Sequence, residues 1–387
     1  VFLAFLVLGL TSFGGPVAHL GYFRRAFVER RGWLDEAAYA DLVALCQFLP
    51  GPASSQVGFS LGMTRAGLPG GLAAWCGFTL PSAALMLAFA GLQPALIATP
   101  MGEAAVHGLK LAAVAVVAQA LLGMARSLAP DARRAAIAVA ALALVVVAGP
   151  AFGQLGAIAL GTLAGLWLCR AKAAEAPAEP VGAPAIWPAL VLLAIFAALL
   201  ALGAPGLDGG PHLILFHAFY RSGALVFGGG HVVLPLLRAE VVTPGWVSDN
   251  AFLAGYGAAQ ALPGPLFTVA AYLGAVSRVG GGLAGGVVAL AAIFLPGLLL
   301  VAAVQPHWSR LRAIPSAQAA MRGAGAAVVG ILALAFYDPV WSGGVRDSVD
   351  LTIAAAAFAM LTAWRAPALL AVGFCVAAAV LRAPLAV

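Results

Sequence analysis

A proline-glycine-proline triplet interrupts an apolar run twice in this chain, at Pro50-Gly51-Pro52 and again 213 residues later at Pro263-Gly264-Pro265. A glutamine precedes each at the same spacing, Gln47 and Gln260. Two prolines remove two backbone donors and clash with the turn before them, and the glycine between them tolerates angles closed to other residues. No helix passes through such a triplet unbroken. Of the 387 residues, 63% are hydrophobic and 9% charged, against about 25% charged in an average soluble domain. The chain is read as an all-α polytopic membrane protein. In lipid, non-helical backbone is tolerated only where protein or a water-filled cavity surrounds it. Each break is therefore read as two half-helices meeting at an internal site.

The breaks belong to a longer repeat. Phe13-Gly14-Gly15 matches Phe227-Gly228-Gly229, Arg24 matches Arg238, and Gly32-Trp33 matches Gly245-Trp246. Further on, Arg65 matches Arg278, Pro81 matches Pro296, and His107-Gly108 matches Arg322-Gly323. The offset drifts only from 213 to 215, so insertions are confined to loops. Residues 1–170 form the first repeat and 211–387 the second. Between them, 171–210 is a linker, polar at first and then carrying an extra apolar span at 186–204.

Within the first repeat, residues 1–13 are too short to cross a bilayer, which takes about 20 residues. Residues 17–31 are amphipathic and arginine-rich. No small-residue cleavage site follows the first segment, so it is not read as a signal peptide. Residues 37–49 and 53–64 are short helices around the break, with Asp35 and its counterpart Ser248 as N-caps. Longer apolar runs follow at 69–91, 101–124, 134–149 and 153–169. If the short pairs are re-entrant hairpins, five full spans separate the starts of the repeats, and an odd number inverts them. Charge supports this. Thirteen basic residues fall on one side by that count: Arg24, Arg25, Arg30, Arg31, Arg65, Arg126, Arg133, Arg134, Arg170, Lys172, Arg310, Arg312 and Arg365. Five fall on the other: Arg221, Arg238, Arg278, Arg346 and Arg382. The richer side is cytoplasmic by the positive-inside rule. The same rule accounts for the +6 formal charge without nucleic acid as a partner.

The candidate site is built from the breaks outward. A helix N-terminus exposes free N–H groups and partial positive charge, which suits an anion. Helices starting after Gly51 and Gly264 would aim Ser54, Ser55 and Gln56, and Thr268, at a ligand; Ser55 and Thr268 are equivalents. The alternative is a structural kink with no ligand. Gln47 and Gln260 offer amide donors to an anion, or clamp carbonyls freed by the break. The turns at Gly14-Gly15 and at Gly229-Gly230 form anion nests or simply allow close packing. His231 follows the second turn and His19 lies near the first, at unmatched positions. Arg24, Arg65, Arg238 and Arg278 either fork onto a tetrahedral oxyanion or anchor in headgroups. Glu103, His107 and Lys110 share one helix face, which carries protons or balances charge near the pathway, or marks a helix end at the interface.

Phe13-Gly14-Gly15-Pro16 with His19, Phe227-Gly228-Gly229-Gly230-His231 and the paired breaks together resemble the chromate ion transporter superfamily. The duplicated length resembles its long-chain members, in which two homologous halves are fused. The resemblance covers essentially the whole chain. It implies export of chromate, with sulfate as a similar oxyanion, across a bacterial-type inner membrane and driven by the proton motive force. Glu29, Glu103, His231 and Glu240 are the candidates for proton transfer. Two inverted repeats around the breaks imply alternating access. The second half departs from the first at Phe267 and Val269, which stand where Ser54 and Gln56 stand, so the halves are not equivalent at the site. The break motifs hold no Asp or Glu and offer only donors, which fits a chromate- or sulfate-like dianion better than phosphate.

A sulfate carrier or another oxyanion channel on the same scaffold is the alternative. An enzyme would need a nucleophile–base or carboxylate–metal constellation, and the dispersed histidines and cysteines supply none. No cofactor or metal is expected. The partners expected are the oxyanion and membrane lipid, with a homodimer as an allowed assembly. A purely structural subunit leaves two matched breaks unexplained.

Overall fold

The computed structural model describes residues 1–170, 185–202, 209–227 and 230–383. Every regular element among them is helical. The first repeat runs α1 (Phe2–Thr11), α2 (Gly15–Phe23), α3 (Glu36–Phe48), α4 (Ala53–Ile97), α5 (Pro100–Leu128) and α6 (Ala132–Leu168). Then comes α7 (Trp187–Ala201), and the second repeat begins with α8 (Pro211–Ala224), α9 (Val233–Leu237) and α10 (Asp249–Ala261). It continues with α11 (Val269–Val276), α12 (Gly282–Val304), α13 (Trp308–Leu311), α14 (Pro315–Ala335), α15 (Ser342–Gly344), α16 (Ser348–Thr362) and α17 (Ala368–Arg382). Residues 203 and 204 of the extra apolar run, and the polar part of the linker at 171–184, lie outside the described residues.

The repeat is legible in the local chemistry of each element. Asp35 caps α3 by accepting from the Ala38 N–H at 2.7 Å, and Ser248 caps α10 through the Ala251 N–H at 3.2 Å. Asp131 and Asp347 cap α6 and α16 in the same matched way. At the equivalent arginines, Arg24 and Arg238, both repeats pass into a π-helical turn (Arg24–Glu29 and Arg238–Val242). In α4 the helix is interrupted at Ala66 and Gly67, and the second repeat has a full interruption there between α11 and α12. At Gly149, φ is +77° and α6 folds back, bringing Gly153 against Val145. The second repeat makes the same hairpin from α16 and α17.

Five helical stretches are long and apolar enough to cross a membrane: Ala53–Ile97, Pro100–Leu128, Ala132–Gly149, Gly282–Leu311 and Pro315–Gly344. Further apolar helices are shorter. Helix α7 has 15 residues, as do α16 and α17. At 1.5 Å per residue such a helix reaches only about 22 Å.

The inversion does not depend on counting spans. Helices α5 and α14 are equivalents, and they run in opposite directions. Leu128, at the end of α5, lies against Gly325 in the middle of α14, whereas Val114, in the middle of α5, lies against Gly344 beyond the end of α14. The packing is also crossed between repeats. Helix α14 packs along α6 of the first repeat, with Gly323 against Gly161 and Gly165, and Gly330 against Ala138. Helix α5 packs against α16 and α17 of the second, with Gly108 against Val376. Small residues at these seams let backbones approach where no water-driven force holds helices together.

Candidate functional site

Each break is a short extended bridge between two helices. Gly51 has φ +126° and Gly264 φ +93°, which only glycine adopts readily. The Gly51 N–H donates to the Val226 carbonyl at 2.7 Å, and the Gly264 N–H donates to the Ser12 carbonyl at 2.9 Å. Ser12 and Val226 are equivalents, each just before its repeat's Phe-Gly-Gly turn. So each break docks on the glycine turn of the opposite repeat. The two turns also touch: a Cβ added at Gly230 would meet Pro16 at 3.3 Å and Phe267 at 3.7 Å. The two breaks and the described parts of the two glycine turns thus converge on one centre, the four-turn centre. Gly14 and Gly15 form the first of these turns, with φ of +104° and +77°, but Gly14 is exposed and a Cβ at Gly15 would meet nothing within 4 Å. Gly229 lies outside the described residues.

The side chains there divide into committed and uncommitted. Gln56 donates from its amide to the Pro50 carbonyl at 2.9 Å and to the Gly297 carbonyl at 3.1 Å. Both its N–H groups are occupied, so it clamps the break to α12. Thr268 donates to the Pro265 carbonyl at 2.8 Å. Its equivalent, Ser55, is buried with a hydroxyl that has no partner among the described residues. The Ser12 and Thr79 hydroxyls are also buried and unpartnered, and the Gln260 amide nitrogen, near the Tyr256 hydroxyl, makes no hydrogen bond of good geometry. Ser54 is buried beside Ser55. His19, 1% exposed, lies edge-on to Phe78 at 5.1 Å and beside the Ser12 backbone, and neither ring nitrogen makes a hydrogen bond of good geometry. Thr79 reaches the centre through its neighbours: Phe78 and Ser82 both crowd Gly264. Buried polar groups are nearly always hydrogen-bonded. Here four side chains that can donate, and an imidazole, lack that partner at the point where the repeats cross. None is a carboxylate.

His231 sits at the rim, its Nδ1 2.7 Å from the Tyr256 hydroxyl. Gln47 is exposed, unlike Gln260, so the matched glutamines do not converge.

The four matched arginines stand apart from the cluster. Arg24 pairs with Glu36 and Glu29, both at 2.7 Å, and its equivalent Arg238 pairs with Asp249 at 3.0 Å. Arg65 is exposed and stacks over Trp33 at 5.9 Å; Arg278 is exposed, and its backbone N–H donates to the Trp246 carbonyl at 3.0 Å. All four lie at the surface, beside carboxylates or tryptophans and away from the crossed turns. The proposed proton groups are mostly occupied as well. Glu29 is held by Arg24, Glu240 by Arg221 at 2.5 Å, and Glu103 is exposed. On that helix face, His107 pairs with buried Asp350 at 2.9 Å and Lys110 reaches Asn250 at 2.7 Å, so it pins α5 to the second repeat.

Ser12, Thr79 and Ser82 were not singled out from sequence. The signals were present: Ser12 directly precedes the Phe-Gly-Gly turn, and Thr79 and Ser82 flank Pro81, one of the matched prolines.

Inverted, crossed helical repeats with broken helices are an architecture of membrane transporters. The chromate transporter family model matches residues 1–167 and 213–381, and the chain belongs to that family. A chromate transport protein of Pseudomonas aeruginosa is 30% identical over 379 residues, 94% of this chain and 87% of the relative. One from Cupriavidus metallidurans is 28% identical over 342 residues, covering 85% and 79%. A probable chromate transport protein of Synechococcus elongatus is 28% identical over 337 residues, covering 85% and 81%. No solved structure gives a significant match. The chain is an integral, multi-pass protein of a bacterial-type plasma membrane.

Proposed function

We propose that this protein exports chromate across the membrane by alternating access, with the four-turn centre as the oxyanion site and the proton motive force as the driver. The observation that carries the reading is the pair of crossed bonds, Gly51 to Val226 and Gly264 to Ser12, that surround unpartnered donors with matched elements of opposed repeats. Chromate is a dianion with no proton to give, so it needs donors alone. Ser12, Ser55, Thr79, His19 and Gln260 supply them, each bond to a charged ligand contributing about 1.5–3 kcal/mol. Neutral donors serve a carrier better than arginines, because a transported ion must leave as readily as it enters. His19 is the titratable group in contact with this set, and a proton on its ring would offset one of the two charges. Movement of one repeat against the other about the crossed turns would expose the centre to each side in turn.

The test is uptake of labelled chromate by everted vesicles with and without a proton gradient. Gradient-stimulated accumulation is expected, and His19→Gln should keep chromate binding while losing the stimulation. Absence of chromate flux from wild-type vesicles sinks the reading. Preferential uptake of sulfate moves the substrate to the second candidate on the same site.

A further inference from the structure

The pseudo-symmetry supplies an internal comparison at the two outer ends of the crossed helices. At one end, His107, the eighth residue of α5, faces Asp350, the third residue of α16. Arg382 reaches Asp350 at 3.0 Å and also bonds Asp347, the N-cap of α16. Two carboxylates, one arginine and one histidine close this end on themselves.

At the other end, Arg322 is the eighth residue of α14 and Arg134 the third residue of α6, with Asp131 as the matching N-cap. The buried carboxylate has been replaced by an arginine. Arg133 and Arg170 join them around a cleft of about 510 Å³. Among the described residues, four arginines share it with a single carboxylate, Asp131, which Arg134 holds at 2.6 Å. Arg133, Arg170 and Arg322 each donate to carbonyls at the end of α6: Leu168 at 3.4 Å, Leu166 at 2.6 Å and Cys169 at 3.0 Å. Capping explains their approach to the helix end, and Arg322 also donates to the Gln318 Oε1 at 2.9 Å, but each guanidinium has five N–H donors and one or two acceptors leave most of them free. The surplus of positive charge has no counterpart at the closed end.

Beside this cleft, on the same helix hairpin, lies an apolar groove of about 550 Å³ lined by Leu144, Leu160, Leu163 and Trp167. Trp167 is 80% exposed and immediately precedes Leu168 of the basic cleft. A basic pocket beside an apolar groove has the shape of a lipid: anionic headgroup in one, acyl chain in the other. A free oxyanion would use the arginines and leave the groove without a role. Anionic headgroups are drawn to basic pockets between helices at the membrane surface.

We propose that the cleft formed by Arg133, Arg134, Arg170 and Arg322 binds the phosphate of an anionic phospholipid, whose acyl chain lies along α6 over Leu160 and Leu163. The lipid neutralises at this end what Asp350 neutralises at the other. This site is distinct from the four-turn centre and stands or falls independently of it.

The test uses the full chain purified in detergent, given phosphatidylglycerol or phosphatidylcholine, with retained lipid read by native mass spectrometry and the unfolding midpoint read alongside. Wild type should retain phosphatidylglycerol and rise in midpoint with it, and not with phosphatidylcholine. Arg133→Gln with Arg322→Gln should lose retention roughly 30-fold, about fivefold per basic residue. Arg134→Asp with Arg322→His transplants the closed arrangement and should fold without responding to the lipid. Equal retention of both lipids by wild type overturns the proposal, whichever variants fold. So does a midpoint rise with inorganic phosphate that the double Gln variant abolishes, which would assign the cleft to a free oxyanion.

Discussion

At the residue scale, the matched hydroxyls Ser55 and Thr268 have different duties despite their equivalence. Thr268 gives its proton to the Pro265 carbonyl and holds its own break; Ser55 has its proton free. Ser55→Ala is therefore expected to weaken chromate binding by about 10- to 100-fold, the share of one hydrogen bond to a charged ligand, with the unfolding midpoint unchanged. Thr268→Val should do the reverse, lowering the midpoint more than the affinity. Equal effects of the two on affinity would remove this distinction. Gln56 is a clamp, so Gln56→Leu removes both of its bonds and leaves the Pro50 carbonyl without this donor, which should cost about 1–3 kcal/mol of stability, measured by unfolding in detergent. The glycine at the break is equally constrained. A Cβ at Gly51 would lie 2.8 Å from the Gln56 amide nitrogen and 3.0 Å from the Gly297 Cα.

At the element scale, much was legible in the sequence. The breaks, the caps at Asp35 and Ser248 and the hairpin at Gly149 all follow from residue types whose backbone preferences are strong and local. The crossing of the repeats was not legible. It is carried by backbone N–H and C=O groups at Gly51, Val226, Gly264 and Ser12, which have no side-chain signature. For the four arginines, matched position marks matched surroundings, and here the surroundings are carboxylates and tryptophans at the surface. Gly161 and Gly165, spaced by four, do announce a helix seam. Gly323→Leu would drive a side chain into both of them and should prevent α14 from seating on α6, seen as loss of the monodisperse protein on size exclusion. At the start of α16, Asp347 is held well below its ordinary 3.8, at about 2, first by Arg382 and then by the Asp350 N–H. Its folded pKa is depressed, so its contribution is whole above that ordinary value and lost as pH falls through about 2. The difference in midpoint between wild type and Asp347→Ala should therefore be flat from neutral pH to mild acid and vanish only in strong acid.

At the scale of the whole molecule, the two halves are symmetric in plan and unequal in chemistry. The first repeat contributes Ser12, His19, Ser55 and Thr79 to the centre, and the second contributes Gln260. Their equivalents are apolar or already engaged: Val226, Val233, Thr268 and Phe294. Transport should therefore be more sensitive to substitutions in the first repeat's turns than in the second's. Paired alanine variants at Ser12 and at Val226, assayed in the same vesicles, check this: a loss of uptake is expected only for Ser12→Ala.

The crossed seams also set an order of events during synthesis. The faces of α5 and α6 that meet the second repeat emerge from the ribosome long before α14, α16 and α17 exist to cover them. The first half must wait in the bilayer with its glycine-lined surfaces open, and the last helix to be made closes the earliest gap. Severing the chain between residues 171 and 184 should leave each half unstable alone, yet the two halves co-expressed should find one another and restore chromate uptake. Continuity of the polypeptide would then matter for timing and stoichiometry and not for the final shape.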